Sequence, residues 1–482
     1  MKRLLTTLLL VCAVMTAADV AAQPLLRTHV ETGDVEGIAD GTLAVYKAIP
    51  YAAPPVGDLR WREPQPAKAW EGVRLCDKFG PLPPQPTRQG RTADMMSEDC
   101  LYLGIATPAR STADRLPVMV WIHGGGFQTE WYGGDLWKHL AQRGVVIVSV
   151  EYRTGALGFM AHPELTKESK NGHSGNYGLL DQIFALQWVQ RNISSFGGDP
   201  TCVTIFGESA GAISCSMLCA SPLAKGLFHR CISQSGGSFA PWSDQPRSLG
   251  LDASQKGAEL QGINYQKHLK KKNLKQMRKM DAMALCGNDV GFGGFWPCVD
   301  GYVICDDQYR LYERGEYNDV PVIVMTNSDE GALFSPGNIK AENYQKQVRQ
   351  IFGSWADEAL KVYPGNTDDE AWHGNGAVGP LLLRDVHALE DDGPGGGDLQ
   401  QVQRAEEGGF AGAGGPDDHH HVPLVDIHAH PVQGLDVLPV VILFQVPDLD
   451  QIIVCRHGAA SFQTYPAASR AHRSPRSTPP PP

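Results

Sequence analysis

Positive charge is in short supply along this chain. Its 42 Lys and Arg face 53 Asp and Glu, a formal net charge of −11 at pH 7. That balance argues against a nucleic-acid partner, because no surplus of cations is there to neutralise a phosphate backbone. Long apolar runs are missing after the N-terminus, so the mature chain is expected to have no integral membrane segment. The 11 cysteines include no Cys-x-x-Cys pair, and nothing suggests a zinc site. From Leu381 to Pro482 four residue types vanish: there is no Lys, Asn, Met or Trp, and all 10 tryptophans occur by Trp372.

The N-terminus supplies what the rest lacks. Lys2-Arg3, an apolar run from Leu4 to Val14, and Val20-Ala21-Ala22 before Gln23 read as an export signal over residues 1–22. It is too short for a membrane anchor. A secreted or periplasmic protein starting at Gln23 is the expectation, in a compartment where disulfides form. Cys76 and Cys100 flank a Pro-rich loop and are read as one such bridge, with Cys286 and Cys298 close enough in sequence for a second. Cys202, Cys215, Cys219 and Cys231 sit in strand or helix patterns and read as buried free thiols.

The centre of the chain is Gly207-Glu208-Ser209-Ala210-Gly211, after the apolar Val203-Thr204-Ile205-Phe206 and before a helix-compatible run. A β-branched strand that breaks at Gly-x-Ser-x-Gly and resumes as a helix has the form of a nucleophile elbow. Such a turn lifts the serine hydroxyl clear, but a serine needs a base, an orienting carboxylate and oxyanion donors. Upstream, an apolar strand over Leu116–Ile122 ends in His123-Gly124-Gly125-Gly126-Phe127, and consecutive unhindered N–H groups form an anion pocket. Val145–Val150 reads as a buried strand, Leu179–Arg191 as an amphipathic helix, and the basic run His268–Lys279 as a solvated helix. Strands alternating with helices imply an α/β fold with a largely parallel sheet and helices on both faces.

His123 to Phe127, Glu98-Asp99-Cys100-Leu101-Tyr102-Leu103, Gly175-Asn176-Tyr177-Gly178-Leu179-Leu180-Asp181-Gln182 and Gly207 to Gly211 together resemble the type-B carboxylesterase/lipase family, relatives of the cholinesterases. The resemblance runs from about His29 to about Gly379. It implies an α/β-hydrolase fold, a small-molecule ester as substrate and no cofactor or metal. Carried over residue by residue, it implies Ser209 as nucleophile and Gly125, Gly126 and Ala210 as oxyanion donors. Glu330 takes the acid position, with Asp329 as its rival. Two positions depart from the family: Gly104 and Glu151 each stand where an Asn is usual, and Glu151 brings a charge to a buried strand end. A non-catalytic binding protein on the same fold is the alternative reading, and a lipase with a large lid is a third. The sequence sets no oligomeric state.

Chain order in this fold places the catalytic histidine after the acid. His419, His420, His421, His428 and His430 fall in that window without the family's flanking residues, His428 and His430 standing as the candidates. Asp426-Ile427-His428-Ala429-His430 also has metal-ligand types, but no second ligand set accompanies it. Residues 23–380 are therefore read as a hydrolase domain that is incomplete at its C-terminal end. Residues 381–482 are read as a low-complexity, disordered segment that is out of frame or a mispredicted terminus.

Overall fold

The computed structural model describes residues 23–87, 91–129, 136–236, 255–289, 294–325 and 339–371, with three strands between 441 and 466. Five short strands come first: β1 (Arg27–Val30), β2 (Gly33–Glu36), β3 (Ile38–Asp40), β4 (Leu43–Pro50) and β5 (Val73–Leu75). Next come β6 (Tyr102–Thr107), β7 (Leu116–Ile122), β8 (Val146–Val150), β9 (Gly198–Glu208), β10 (Arg230–Gln234) and β11 (Val322–Met325). The main sheet has eight strands in the order β11-β10-β9-β7-β8-β6-β4-β3, while β1, β2 and β5 form a small separate sheet. Strands β7 to β11 pair in parallel, and β3, β4 and β6 extend the sheet antiparallel as far as β8. This is the helix-flanked, mostly parallel sheet expected of an α/β-hydrolase. Three further strands, β12 (Val441–Gln445), β13 (Gln451–Arg456) and β14 (Phe462–Pro466), pair antiparallel with one another.

Strand choice follows from side-chain shape. Val146-Ile147-Val148-Ser149-Val150 is buried at every position, as a β-branched run covered on both faces should be. The apolar run Leu116–Ile122 has the bounds of β7, and β9 reaches further in both directions than its apolar centre. The helix Tyr177–Asn192 differs from the amphipathic expectation, for it is buried on nearly every side. Two of its polar residues find buried partners: Asp181 takes Arg153, and Gln182 Nε2 donates to Ser214 Oγ at 3.1 Å. The basic run His268–Lys279 is likewise not one solvated helix. It spans the end of helix Gln255–His268, a left-handed Lys270 (φ 53°) and helix Leu274–Arg278, with Leu274 and Met277 buried.

The expected Cys76–Cys100 bridge is corrected: both are free, buried thiols, as are Cys286 and Cys298. Cys76 Sγ faces the carbonyls of Ala48 (3.5 Å) and Arg74 (3.7 Å). Cys100 lies instead among Glu151, Asp181 and Arg153. Burial pushes the Cys76 thiol up to about 11, so it stays protonated. Cys215, Cys219 and Cys231 are free and buried as read, with Cys202 half-buried.

Register fixes where chemistry is available. Ile122 of β7 lies opposite both Val150 of β8 and Gly207 of β9, while Gln234 of β10 lies opposite both Glu208 and Met325. Strands β7 to β11 therefore end at one level. His123, Glu151, Ser209 and Ser235 emerge along one edge, the place where open α/β sheets bind ligands.

One ion cluster pins the loops beside this edge. His173 is buried, its Nε2 2.9 Å from Glu63 Oε1 and its Nδ1 3.4 Å from Asp300 Oδ2. Burial alone would lower its pKa, but the Asp300 carboxylate beside it and the Glu63 carboxylate bonded to it outweigh that and raise it from 6.5 to about 9. A raised histidine contributes stability in full below the unfolded value, and the contribution is lost as pH rises through the folded one. Stability should fall by roughly 1–2 kcal/mol between pH 6.5 and 9, a figure discounted for the exposed Glu63. Urea unfolding across that range measures the slope, and His173→Gln should remove it. An identical slope in the variant would assign it to other groups.

Candidate active site

The site begins where β9 stops. Ser209 follows Glu208 directly and is the N-cap of helix Ala210–Ala220, with φ 54° and ψ −123°. A non-glycine residue held there costs of order 1–3 kcal/mol. The surroundings hold it fast: its N–H donates to the Gln234 carbonyl (2.9 Å) and its carbonyl accepts from Ile213 N–H (3.0 Å). Gly211 lets the helix fold back onto β7, since a Cβ there would meet the Ile122 carbonyl oxygen at 2.0 Å. No side chain larger than hydrogen fits.

The glycine loop lies against this turn. A Cβ on Gly124 would stand 3.2 Å from Ser209 Cβ and 2.7 Å from the Glu208 carbonyl oxygen. Beyond it Gly125 (φ 90°) and Gly126 (φ 63°) turn the backbone. The Gly125 carbonyl accepts from Gln128 and Thr129 N–H, both at 3.1 Å, and the Gly126 carbonyl accepts from Gln128 Nε2 at 3.2 Å. Among the described residues, the N–H groups of Gly125, Gly126 and Ala210 donate no hydrogen bond. Unused N–H groups beside a serine at a helix N-terminus can receive a developing anion.

Several participants were not read from the sequence. Gln128 reaches across to the next layer, donating to the Phe295 carbonyl at 2.5 Å and accepting from Phe295 N–H at 3.4 Å. Phe127 packs edge-on against Phe159 and Trp296 at 5.1 and 5.4 Å, walling the loop with aromatic rings. His123 stacks on Tyr152 at 4.1 Å, and the Tyr152 hydroxyl donates to the His123 carbonyl at 2.7 Å. For His123 the signal beyond its motif was positional, a polar residue directly after a parallel strand.

Glu330 and its rival Asp329 lie outside the described residues, as do His419, His420, His421, His428 and His430. Met325, the last residue of β11, lies level with Glu208 across β10. Among the described residues no group of three His, Cys, Asp or Glu side chains is placed to hold a metal ion. No described helix is long and apolar enough to cross a membrane.

Comparison with known proteins places this geometry. Residues 23–371 match the carboxylesterase family. The fumonisin B1 esterase of Sphingopyxis macrogoltabida is 41% identical over 369 residues, 73% of this chain and 66% of that protein. The cholinesterase of Mus musculus is 36% identical over 366 residues, 70% of this chain and 58% of its own length. The solved structure of PNB esterase superposes with a TM-score of 0.61 at 31% identity, covering 76% of each chain. The chain thus spans less than two thirds of the length of either curated relative. With sequence, fold and motif order agreeing over residues 23–371, the chain belongs to the carboxylesterase family.

Proposed function

We propose that the protein hydrolyses small carboxylic esters through an acyl-enzyme on Ser209. The observation that carries this reading is Ser209 itself, strained at a strand-to-helix turn against a glycine loop whose N–H groups are unused. Strain of this kind persists where surrounding structure enforces it, and it is common at catalytic positions. Ser209 Oγ attacks the ester carbonyl carbon while its proton passes to a histidine oriented by Glu330. The N–H groups of Gly125, Gly126 and Ala210 take up the negative charge on the carbonyl oxygen. Collapse of the tetrahedral species breaks the bond to the alkoxy oxygen, and the same histidine returns the proton to the departing alcohol. Water then repeats the sequence and frees the acid. His428 and His430 are the candidates for the base. Residues 1–22 direct the chain to a secreted or periplasmic location in this reading.

The relatives support the ester as substrate class, since all three reported above carry esterase names. A fluorophosphonate probe tests the reading, because it captures only a serine that is both activated and served by an oxyanion site. Intact-protein mass spectrometry should show one adduct, with peptide mapping placing it on Ser209, and p-nitrophenyl butyrate should turn over. Neither adduct nor turnover would favour the non-catalytic alternative on the same fold.

A further inference from the structure

The loop Gly124-Gly125-Gly126 has no side chain of its own to hold it. Glycine populates left-handed and right-handed backbone about equally, so Gly125 (φ 90°) and Gly126 (φ 63°) depend on neighbours to keep one conformation. Gln128 holds Gly126 from both sides. Its backbone N–H, beside that of Thr129, donates to the Gly125 carbonyl at 3.1 Å, and that carbonyl shares a peptide plane with the Gly126 N–H. In a trans peptide the two groups point opposite ways, so a carbonyl tied to the 128–129 turn aims the Gly126 N–H away from that turn. The next plane is fixed by the side chain, whose Nε2 donates to the Gly126 carbonyl at 3.2 Å. Among the described residues this carbonyl accepts from no other group.

The side-chain amide is itself anchored outside the loop. Its Nε2 donates to the Phe295 carbonyl at 2.5 Å, and its Oε1 accepts from the Phe295 N–H at 3.4 Å. With the bond to Gly126, both amide hydrogens and the oxygen are engaged. Gly294 leaves room for this grip, since a Cβ there would meet Gln128 Cδ at 2.7 Å. The anchor is firm: Phe295 is 0% exposed and packs edge-on against Tyr265 at 5.0 Å, whose hydroxyl donates to the Leu285 carbonyl at 2.6 Å. Three residues on, buried Asn176 grips Cys298 in the same manner, donating to its carbonyl at 2.8 Å and accepting from its N–H at 3.0 Å. Two side-chain amides thus pin residues 295 to 298, and through Gln128 the pinned segment holds the glycine loop.

With both amide hydrogens spent on carbonyls, Gln128 has no donor left to offer a substrate, so its contribution is to geometry. Donors act on a developing oxyanion only as far as they are aimed before the charge appears. We infer that Gln128 is a positioning residue: by tying Gly126 to Phe295, it keeps the Gly126 N–H aimed for the oxyanion. This role rests on the reading of Gly126 as an oxyanion donor.

Two measurements on the full chain test it, using Gln128→Met, which keeps the side chain's length and removes its three hydrogen bonds. In steady state with p-nitrophenyl butyrate, kcat should fall by about 10- to 30-fold with KM within twofold, short of the loss from deleting a whole donor. Inhibition by an alkyl trifluoromethyl ketone, whose hemiketal oxyanion on Ser209 mimics the tetrahedral species, should weaken by a similar factor. The matching methyl ketone stays trigonal and should bind within about twofold of wild type. Should Gln128→Met not fold, Gly294→Ala replaces it: its Cβ displaces the amide from the other side, and the same split is expected. Both ketones weakening together would mean a pocket that has collapsed as a whole. A kcat and a trifluoromethyl ketone affinity within twofold of wild type would mean an amide that aims nothing. Either result overturns the role alone, because wild-type turnover leaves the hydrolase reading standing. A wild-type chain without turnover would overturn the hydrolase reading and this role with it.

Discussion

Alanine at position 209 is expected to cut turnover of p-nitrophenyl butyrate by about 10⁴- to 10⁶-fold, with the fold unchanged. The change removes the one oxygen that can bond to the acyl carbon and leaves the backbone that presents it. Every described hydrogen bond of residue 209 is made by its main chain, to Gln234 and from Ile213, so alanine keeps them. Alanine also carries the same penalty as serine at φ 54°. Melting temperature should therefore stay within about 1–2 °C, as for a substitution that removes no buried contact. The residual rate would come from the oxyanion donors and binding alone, and the fluorophosphonate adduct should disappear entirely. Stopped-flow and steady-state assays on wild type and Ser209→Ala measure the ratio. A variant that retained even a tenth of the activity would place the nucleophile elsewhere and remove the basis for the acyl-enzyme.

What the sequence disclosed about this site was the part written in consecutive residues. The apolar run Leu116–Ile122 coincides with β7, and the break after Glu208 marks the turn that holds Ser209. Both are local: period and turn chemistry live within a few positions and can be read there. Glu151 was visible as an unusual charge at a strand end, but its meeting with His123 depends on the register of β7 on β8. Gln128 and Phe295, separated by 167 positions, are still further beyond the reach of pattern. The helix Tyr177–Asn192 misled for a related reason. Its polar residues suggested a wet face, whereas Asp181 and Gln182 find buried partners contributed by other segments. Cysteine spacing failed similarly, because proximity along the chain put Cys76 and Cys100 beside one loop while the fold turned their thiols toward different neighbours.

Asp181→Ala should be among the most destabilising single changes in the chain, costing about 3–5 kcal/mol. Arg153 Nε and one terminal nitrogen each reach Asp181 at 2.7 Å, the Arg153 N–H adds a third bond at 3.1 Å, and the two side chains are 4% and 0% exposed. Burial pushes the Asp181 carboxyl up and the guanidinium pulls it back; two parallel donors on one carboxylate keep the pair ionic. Removing the acid leaves a guanidinium that cannot lose its proton, inside the protein, with only the Arg62 carbonyl at 2.9 Å and the Tyr177 ring at 5.4 Å to receive it among the described residues. The cost is thus that of an orphaned charge more than of a lost attraction. The double change Arg153→Met/Asp181→Leu should consequently recover much of the loss, since two apolar side chains of similar volume leave no charge to solvate. Urea unfolding of the three variants separates the two contributions. A loss below about 1 kcal/mol in Asp181→Ala would mean that water reaches Arg153 and that the pair behaves as a surface bridge. The consequence extends to the site, because Arg153 lies two residues beyond Glu151 on the segment that carries Tyr152 beneath His123. A collapse around Arg153 should therefore lower kcat as well as stability, and the paired apolar variant should restore stability first.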